Sequence, residues 1–173
     1  MAVGWVVRAL ISAALWVAAS AVQAAPAVPS ATWLTGVVTR VSDGDTVWLR
    51  PSGNRRAQPL KLRLRGIDAP ERCQAGGHAA TVALMSQVEN AEVVVRVVGT
   101  DAYGRLLVDM RWRGVDVAAR MVREGHAWSH RRGSVADTYA SEEREARAAR
   151  RGLFSDPQAI EPSVFRKRHG PCP

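Results

Sequence analysis

The chain has 173 residues, which is enough for one domain of ordinary size and hardly enough for two. It carries 24 lysines and arginines against 16 aspartates and glutamates, a formal net charge of +8 with a sequence pI near 10.9. Either a polyanionic partner or a biased base composition would produce this balance, so where the arginines lie matters more than how many there are.

Residues 1–24 have the pattern of a signal peptide. Arg8 supplies one positive charge before a short apolar run, and small residues around Ala24 provide a cleavage point. The run is shorter than the roughly 20 residues that a membrane helix needs, although an uncleaved anchor is the alternative. We therefore expect an exported protein, secreted or periplasmic, without stable membrane association after cleavage. Residues 25–32 then form a flexible lead-in.

Alternating and β-branched patterns predict five strands in the mature chain. They cover residues 33–42, 45–50, 60–67, 93–97 and 105–112. Asp43-Gly44, between the first two strands, is typical of a type I′ hairpin turn, which needs positive φ at both central residues.

Helical spacing predicts three helices. The first starts at Gly77 and the second covers about 116–124, with Asp116 as its N-cap. The last covers about 137–151. Since strands and helices do not alternate, the pattern predicts a mainly β (α+β) protein, a five-stranded OB-like barrel with three flanking helices. This domain would occupy residues 33–156, followed by a C-terminal tail at 157–173.

Cys73 and Cys172 are the two cysteines. In an exported protein a disulfide between them is expected, the alternative being two unrelated thiols. The bridge would tie the tail to the loop that carries Glu71. A catalytic thiol at Cys73 is not expected, because no assisting histidine has an evident place beside it.

The stretch Leu62–Glu71 gathers charged groups at the end of a predicted strand. Asp68 and Glu71 follow the strand, and the turn at 43–46 adds two aspartates. Arg63 and Arg65 share one face in the alternation, so either could serve the site. Carboxylates that hold a hard cation beside arginines that hold phosphate indicate phosphoryl chemistry. The four histidines form no zinc pattern.

Three sequence blocks carry a resemblance to a known family. The blocks are Asp43-Gly44-Asp45-Thr46-Val47, Arg63-Leu64-Arg65-Gly66-Ile67-Asp68-Ala69-Pro70-Glu71 and Asp101-Ala102-Tyr103-Gly104-Arg105. In this order they resemble the staphylococcal nuclease (thermonuclease) family, from about Gly36 to Phe154.

The resemblance implies an OB-type barrel with three helices and calcium-dependent hydrolysis of DNA and RNA at the 5′-oxygen side, leaving 3′-phosphate ends. It implies calcium ligation by the carboxylates of Asp45 and Asp68 and the backbone carbonyl of Ala69. It also implies that Glu71 is the general base and that Arg63 and Arg105 clamp the phosphate. Tyr103 would bind the phosphate, with Asp101 supporting it.

The chain departs from the family pattern where the substrate base would bind. The two tyrosines expected shortly after the second helix are missing, and Ala102 replaces a lysine. Trp128 or His130 would have to stack on the base instead, although Trp128 fits a core position equally well. Preference between DNA and RNA stays open.

Two other functions compete with a monomeric nuclease. One is a non-catalytic OB-like module that binds nucleic acid or protein, and the other is an exported basic protein that binds anionic polymers. A non-catalytic copy is expected to lack some of the acids or arginines. All five of them are present: Asp45, Arg63, Asp68, Glu71 and Arg105.

Overall fold

The computed structural model describes residues 32–54, 56–130, 137–170 and 172. The predicted signal peptide and the lead-in up to residue 31 lie outside them. The strands are β1 (Thr32–Val41), β2 (Thr46–Pro51), β3 (Leu60–Leu64), β4 (Ile67–Asp68), β5 (Glu92–Thr100), β6 (Leu106–Trp112), β7 (Val115–Asp116) and β8 (Trp128–Ser129). The helices are α1 (Gly77–Val88), α2 (Val117–Arg123), α3 (Ala140–Ala148) and α4 (Pro162–His169), with a short 3-10 helix at Gly152–Ser155.

Five of the strands close into a barrel. The sheet order is β3-β2-β1-β5-β6-β7, and a parallel pairing of β3 with β6 joins the ends of the ring. The other ladders are antiparallel. The five-stranded barrel predicted from the sequence is therefore confirmed, and its one parallel ladder makes it a mixed barrel.

The alternation along β3 directs the side chains. Leu62 and Leu64 are buried in the barrel, whereas Arg63 between them faces the outer surface. Burying each leucine contributes about 2 kcal/mol. The strands and the first two helices share one core, which includes Val38, Val47, Leu49, Leu62, Leu64, Leu84, Val88, Val95, Val108, Met110 and Met121.

The turn between β1 and β2 corrects one prediction. The hairpin forms, but neither Asp43 nor Gly44 has positive φ, so the turn is not type I′. The Asp43 carboxylate instead accepts a hydrogen bond of 3.0 Å from the Asp45 amide. A Cβ on Gly44 would lie 2.7 Å from the Cβ atoms of both Ala69 and Ala80. Glycine is needed there for close packing rather than for φ.

The first three helices lie where helical spacing predicts them. Asp116 caps α2 by accepting a 3.0 Å hydrogen bond from the Ala119 amide. The prediction of three helices is nevertheless incomplete, because the tail at 157–173 contains α4. This helix begins at Pro162, and proline favours the first turn of a helix.

The tail is bonded to the barrel domain. Cys73 and Cys172 form a disulfide across 99 residues, which confirms the predicted pairing. Nearby, Gln74 donates a 2.7 Å hydrogen bond from Nε2 to the carbonyl oxygen of Ile160. The tail is thus fixed to the loop after Glu71 at two points.

No helix in the described part of the chain has both the length and the apolar character of a membrane span.

Candidate active site

Asp45 is held at the start of β2 by three hydrogen-bonding groups. Its amide donates to Asp43, the hydroxyl of Thr46 donates to its Oδ1 at 3.0 Å, and the amide of Ala69 donates to its Oδ2 at 2.9 Å. Only 6% of the residue is exposed. The turn therefore presents one carboxylate, fixed in direction, at the end of the barrel.

Asp68 reaches the same place from β4. Gly66, with φ of 79°, turns the chain after β3, and Asp68 then pairs with Trp128 on β8. Glu143 holds β8 by accepting a 2.8 Å hydrogen bond from the Ser129 amide. The position of Asp68 thus depends on a short ladder that α3 secures.

Arg63 joins the two aspartates. Its guanidinium lies 2.6 Å from Asp45 Oδ2 and 3.2 Å from Asp68 Oδ1. Arg65, the alternative left open by the sequence, instead forms a bidentate pair with Asp109 at 2.7 and 2.9 Å. The structure therefore brings Arg63 to the two aspartates and places Arg65 elsewhere.

The connection between β5 and β6 supplies the second arginine. Arg105 Nε lies 2.6 Å from Asp101 Oδ2, and Arg105 Nη1 donates to the Thr46 hydroxyl at 3.3 Å. Asp101 also accepts from the amides of Tyr103 and Arg105. Burial raises the pKa of Asp101, but these hydrogen bonds outweigh burial and lower the pKa below its ordinary value. The Tyr103 ring is 85% exposed and lies against Arg105.

These groups line one cavity of about 450 Å³, here called the carboxylate cavity. Its lining combines four acids and four bases with a tyrosine and two small residues: Asp43, Asp45, Asp68 and Glu71; Lys61, Arg63, Arg105 and Arg166; Tyr103, Ala69 and Pro70. A second cavity of about 560 Å³ is lined mostly by apolar and small residues. Because charged groups converge in the carboxylate cavity, it is the candidate active site.

The surroundings of Asp45 destabilise the charged form of its side chain. Burial raises its pKa to about 7, with Asp43 and Asp68 adding repulsion, while Arg63 and the Ala69 amide act in the opposite direction. A cation bound at Asp45 would offset this cost. The oxygen donors of Asp45 and Asp68 therefore fit a hard divalent ion.

Two carboxylates do not complete a coordination shell. Among the described residues, no group of three or more His, Cys, Asp and Glu side chains is arranged to hold a metal ion. A cation at Asp45 and Asp68 would need further oxygens from backbone, water or phosphate. Ala69 lies beside Asp45, to which its amide donates, and its carbonyl stays a predicted ligand.

Arg166 and Lys61 are the charged residues of the cavity that the sequence did not predict, and Arg166 contacts the acids. It lies on α4, with Nη1 2.6 Å from Glu71 Oε1 and Nη2 3.1 Å from Asp68 Oδ2. Burial lowers the pKa of Arg166, but hydrogen bonds to Asp68 and Glu71 raise it beyond the ordinary value, so it remains charged. The expected disulfide was the one sequence feature that placed the tail near Glu71.

The two candidates for base stacking differ. Trp128 is only 3% exposed and packs edge-on against Phe154, with ring centroids 6.0 Å apart. The burial of Trp128 favours the core position that the sequence left as its alternative, and the stacking role stays a prediction. His130 is partly exposed and lines a small cavity with Asp68 and Arg166.

Comparisons with known proteins point to one family. Residues 61–156 match the family described as staphylococcal nuclease homologue. The chain is 39% identical over 166 residues to a micrococcal nuclease of Shigella flexneri, covering 90% of the chain and 93% of that protein. It is 39% identical over 163 residues to Protein ParB of Escherichia coli, covering 86% and 89%. An uncharacterized endonuclease of Haemophilus influenzae is 34% identical over 131 residues, covering 76% and 72%.

Proposed function

The chain belongs to the staphylococcal nuclease family and is a nuclease, and we propose that the carboxylate cavity is the site at which it hydrolyses DNA and RNA. One observation carries the assignment: two buried aspartates, a glutamate and arginines from separate elements line a single cavity. Convergence of acids and phosphate-binding cations is what metal-assisted phosphodiester hydrolysis requires.

Asp45 and Asp68, with the Ala69 carbonyl, would hold one divalent ion. Calcium is the ion we propose, because all the donors are oxygens and the shell leaves room for water and phosphate. When bound, such an ion supplies positive charge that offsets the negative charge of the phosphate oxygens. Asp43 supports the site through the turn that orients Asp45.

Glu71 is the proposed general base. Its side chain is 27% exposed, so water can reach it. In the proposed reaction Glu71 takes a proton from the water that attacks phosphorus, and the bond from phosphorus to the 5′-oxygen breaks. The leaving oxygen takes up a proton and becomes a 5′-hydroxyl, and the phosphate remains on the 3′ side.

Arg63 and Arg105 would stabilise the transition state. Five-coordinate phosphorus carries more negative charge than the ground state, so cations fixed around it act mainly on the barrier. Asp101 and Thr46 fix Arg105 in direction. Tyr103 is exposed at the mouth, where its hydroxyl can donate a hydrogen bond to phosphate.

Export is part of the proposal. The Cys73–Cys172 bond supports it, because disulfides persist in oxidising compartments and are rare in the cytosol. Expression of the full chain in bacteria, followed by fractionation and sequencing of the mature amino terminus, tests this. Recovery of a fragment that begins at Ala25 outside the cytosol is expected, and an uncleaved protein in the membrane fraction contradicts it.

The activity is tested by digestion of single- and double-stranded DNA and RNA with added calcium or with a chelator. Glu71→Gln is the matched variant, since it keeps size and polarity but removes the base. We expect the chelator to stop cleavage and the variant to lower kcat by about 10²–10⁴-fold. Equal rates with chelator, or undiminished cutting by the variant, overturn the assignment.

A further inference from the structure

Arg166 forms ion pairs with two of the acids on which the proposed function depends, Asp68 and Glu71. Its guanidinium contacts both oxygens of Asp68, at 3.3 Å from Nη1 and 3.1 Å from Nη2, and Nη1 lies 2.6 Å from Glu71. Asp68 also accepts from Arg63. Both oxygens of Asp68 are thus engaged by arginine, and the proposed base is in an ion pair.

This placement is built into the fold. α4 carries Arg166 and is fixed by the Cys73–Cys172 bond and by the hydrogen bond from Gln74 to Ile160. The guanidinium therefore enters the cavity from an element fixed to the domain, although Arg166 is 95 residues from Glu71 in sequence.

The Arg166 side chain is also able to change partners. It is 43% exposed, whereas the Asp68 side chain is 10% exposed. A long arginine at the rim can rotate without disturbing the core. A cation that takes Asp68 would release the guanidinium next to the place where the substrate phosphate must lie. Arginine forks bind phosphate in the same bidentate manner in which they bind carboxylate.

We propose that Arg166 is a further substrate-binding residue, a third arginine that binds a phosphate of the nucleic acid. In the substrate-free protein it is paired with Asp68 and Glu71. When a divalent ion occupies the aspartates, Arg166 leaves them and donates to a substrate phosphate, which also frees Glu71. This inference rests on the proposed function of the same cavity.

The test compares Arg166→Gln with Arg168→Gln. The two variants remove the same charge from the same helix, but Arg168 is outside the carboxylate cavity. The first measurement is calcium affinity of the nucleic-acid-free protein by titration calorimetry. We expect Arg166→Gln to bind calcium at least about threefold more tightly than Arg168→Gln, because a competitor for Asp68 is gone.

The second measurement is binding of a single-stranded oligonucleotide with calcium, in a Glu71→Gln background that prevents cleavage. Loss of one phosphate contact should weaken binding by about tenfold and reduce the slope of log K against log salt by about 0.7. Arg168→Gln should leave the slope unchanged. Arg166→Lys should keep the slope but bind less tightly, because it keeps the charge without the fork.

Tighter calcium binding together with weaker, less salt-dependent nucleic-acid binding supports the inference. Tighter calcium binding with unchanged nucleic-acid affinity would mean that Arg166 only blocks the site, and overturns it. Equal behaviour of the two glutamine variants also overturns it. In either case, a Glu71→Gln variant that fails to cut leaves the proposed function standing, whereas one that cuts normally removes that function itself.

Discussion

Arg63 and Arg65 are two positions apart in the chain, yet their guanidinium groups bind different acids. Arg63 lies between Asp45 and Asp68 in the carboxylate cavity, whereas Arg65 binds Asp109. The divergence follows from where β3 ends, since Leu64 is its last residue and Arg65 already lies in the turn before Gly66. Two arginines that are equivalent candidates in the sequence therefore have different partners in the structure.

Glutamine at these two positions should separate catalysis from stability. We expect Arg63→Gln to lower kcat by about 10²–10³-fold, because a cation aimed at the phosphate is lost. Arg65→Gln should keep kcat within about threefold and lower the melting temperature instead. Steady-state kinetics and thermal melts of both variants check this. Loss of activity in Arg65→Gln at an unchanged melting temperature contradicts it.

Asp45→Asn should abolish the response of the fold to calcium. A ligand that binds only the native state stabilises it by about 2.7 kcal/mol at 100 times its dissociation constant. The parent should therefore melt at a higher temperature in excess calcium, and the variant should not. Asp101→Asn is the control, because Asp101 touches Arg105 but is outside the proposed ligand set. A calcium shift of parental size in Asp45→Asn counts against the ligand assignment.

Alanine at position 103 should affect substrate binding, whereas alanine at position 128 should affect stability. Tyr103 is exposed, so Tyr103→Ala should raise KM for oligonucleotides and leave the melting temperature nearly unchanged. Trp128 is core, so Trp128→Ala should destabilise the protein by about 3–5 kcal/mol. Denaturant titrations beside KM measurements distinguish the two. A stable Trp128→Ala variant with weakened substrate binding would support the stacking role.

The Asp109 carboxylate should contribute stability that depends on pH. Burial raises its pKa, but hydrogen bonds from Arg65 and Arg96 outweigh burial and hold the pKa below the ordinary value of 3.8. Its stabilisation is therefore complete above pH 3.8 and is lost as pH falls through the folded-state pKa. We expect Asp109→Asn to cost about 1–2 kcal/mol near pH 7.

That deficit should shrink as the pH is lowered below the ordinary pKa, because the parent then loses the same charge. Urea denaturation of both proteins across the acid range gives the difference directly. A deficit that stays constant with pH would assign the loss to packing instead of charge.

Removing the disulfide should lower stability and loosen α4. On the chain-entropy view, closing a loop of about 100 residues contributes up to about 4–5 kcal/mol. Cys73→Ser with Cys172→Ser should lose most of this amount in denaturant unfolding, and calcium affinity should shift in the same direction as in Arg166→Gln. Treating the parent with reductant provides the matching control. Unchanged calcium affinity would show that Arg166 stays in place without the bond.

Much of the barrel and its acids could be predicted from the sequence. Apolar and charged residues alternate around Leu62 and Leu64, and in a strand this alternation predicts which side chains are buried. Asp45, Arg63 and Asp68 lie in short motifs whose order identified the family. Local pattern and local chemistry agree at these positions.

The remaining features depend on distant contacts. The turn at Gly44 does not take the type I′ form that Asp-Gly prefers locally, and a Cβ at Gly44 would clash with Ala69 and Ala80. Trp128 packs against Phe154 of the 3-10 helix, which follows it in the chain. Arg166 is one of two arginines in the tail, and only the folded tail brings it to Glu71.

The ring of strands has a consequence for how the enzyme acquires its activity. The pairing of β3 with β6 places Arg63 opposite Leu107, two residues from Arg105. Until that ladder forms, one guanidinium stays at each open end of the sheet and no substrate can meet both. Since the proposed function uses both arginines, recovery of cutting after dilution from denaturant should wait for this ladder, and it should lag behind the return of helical circular dichroism if the helices form first.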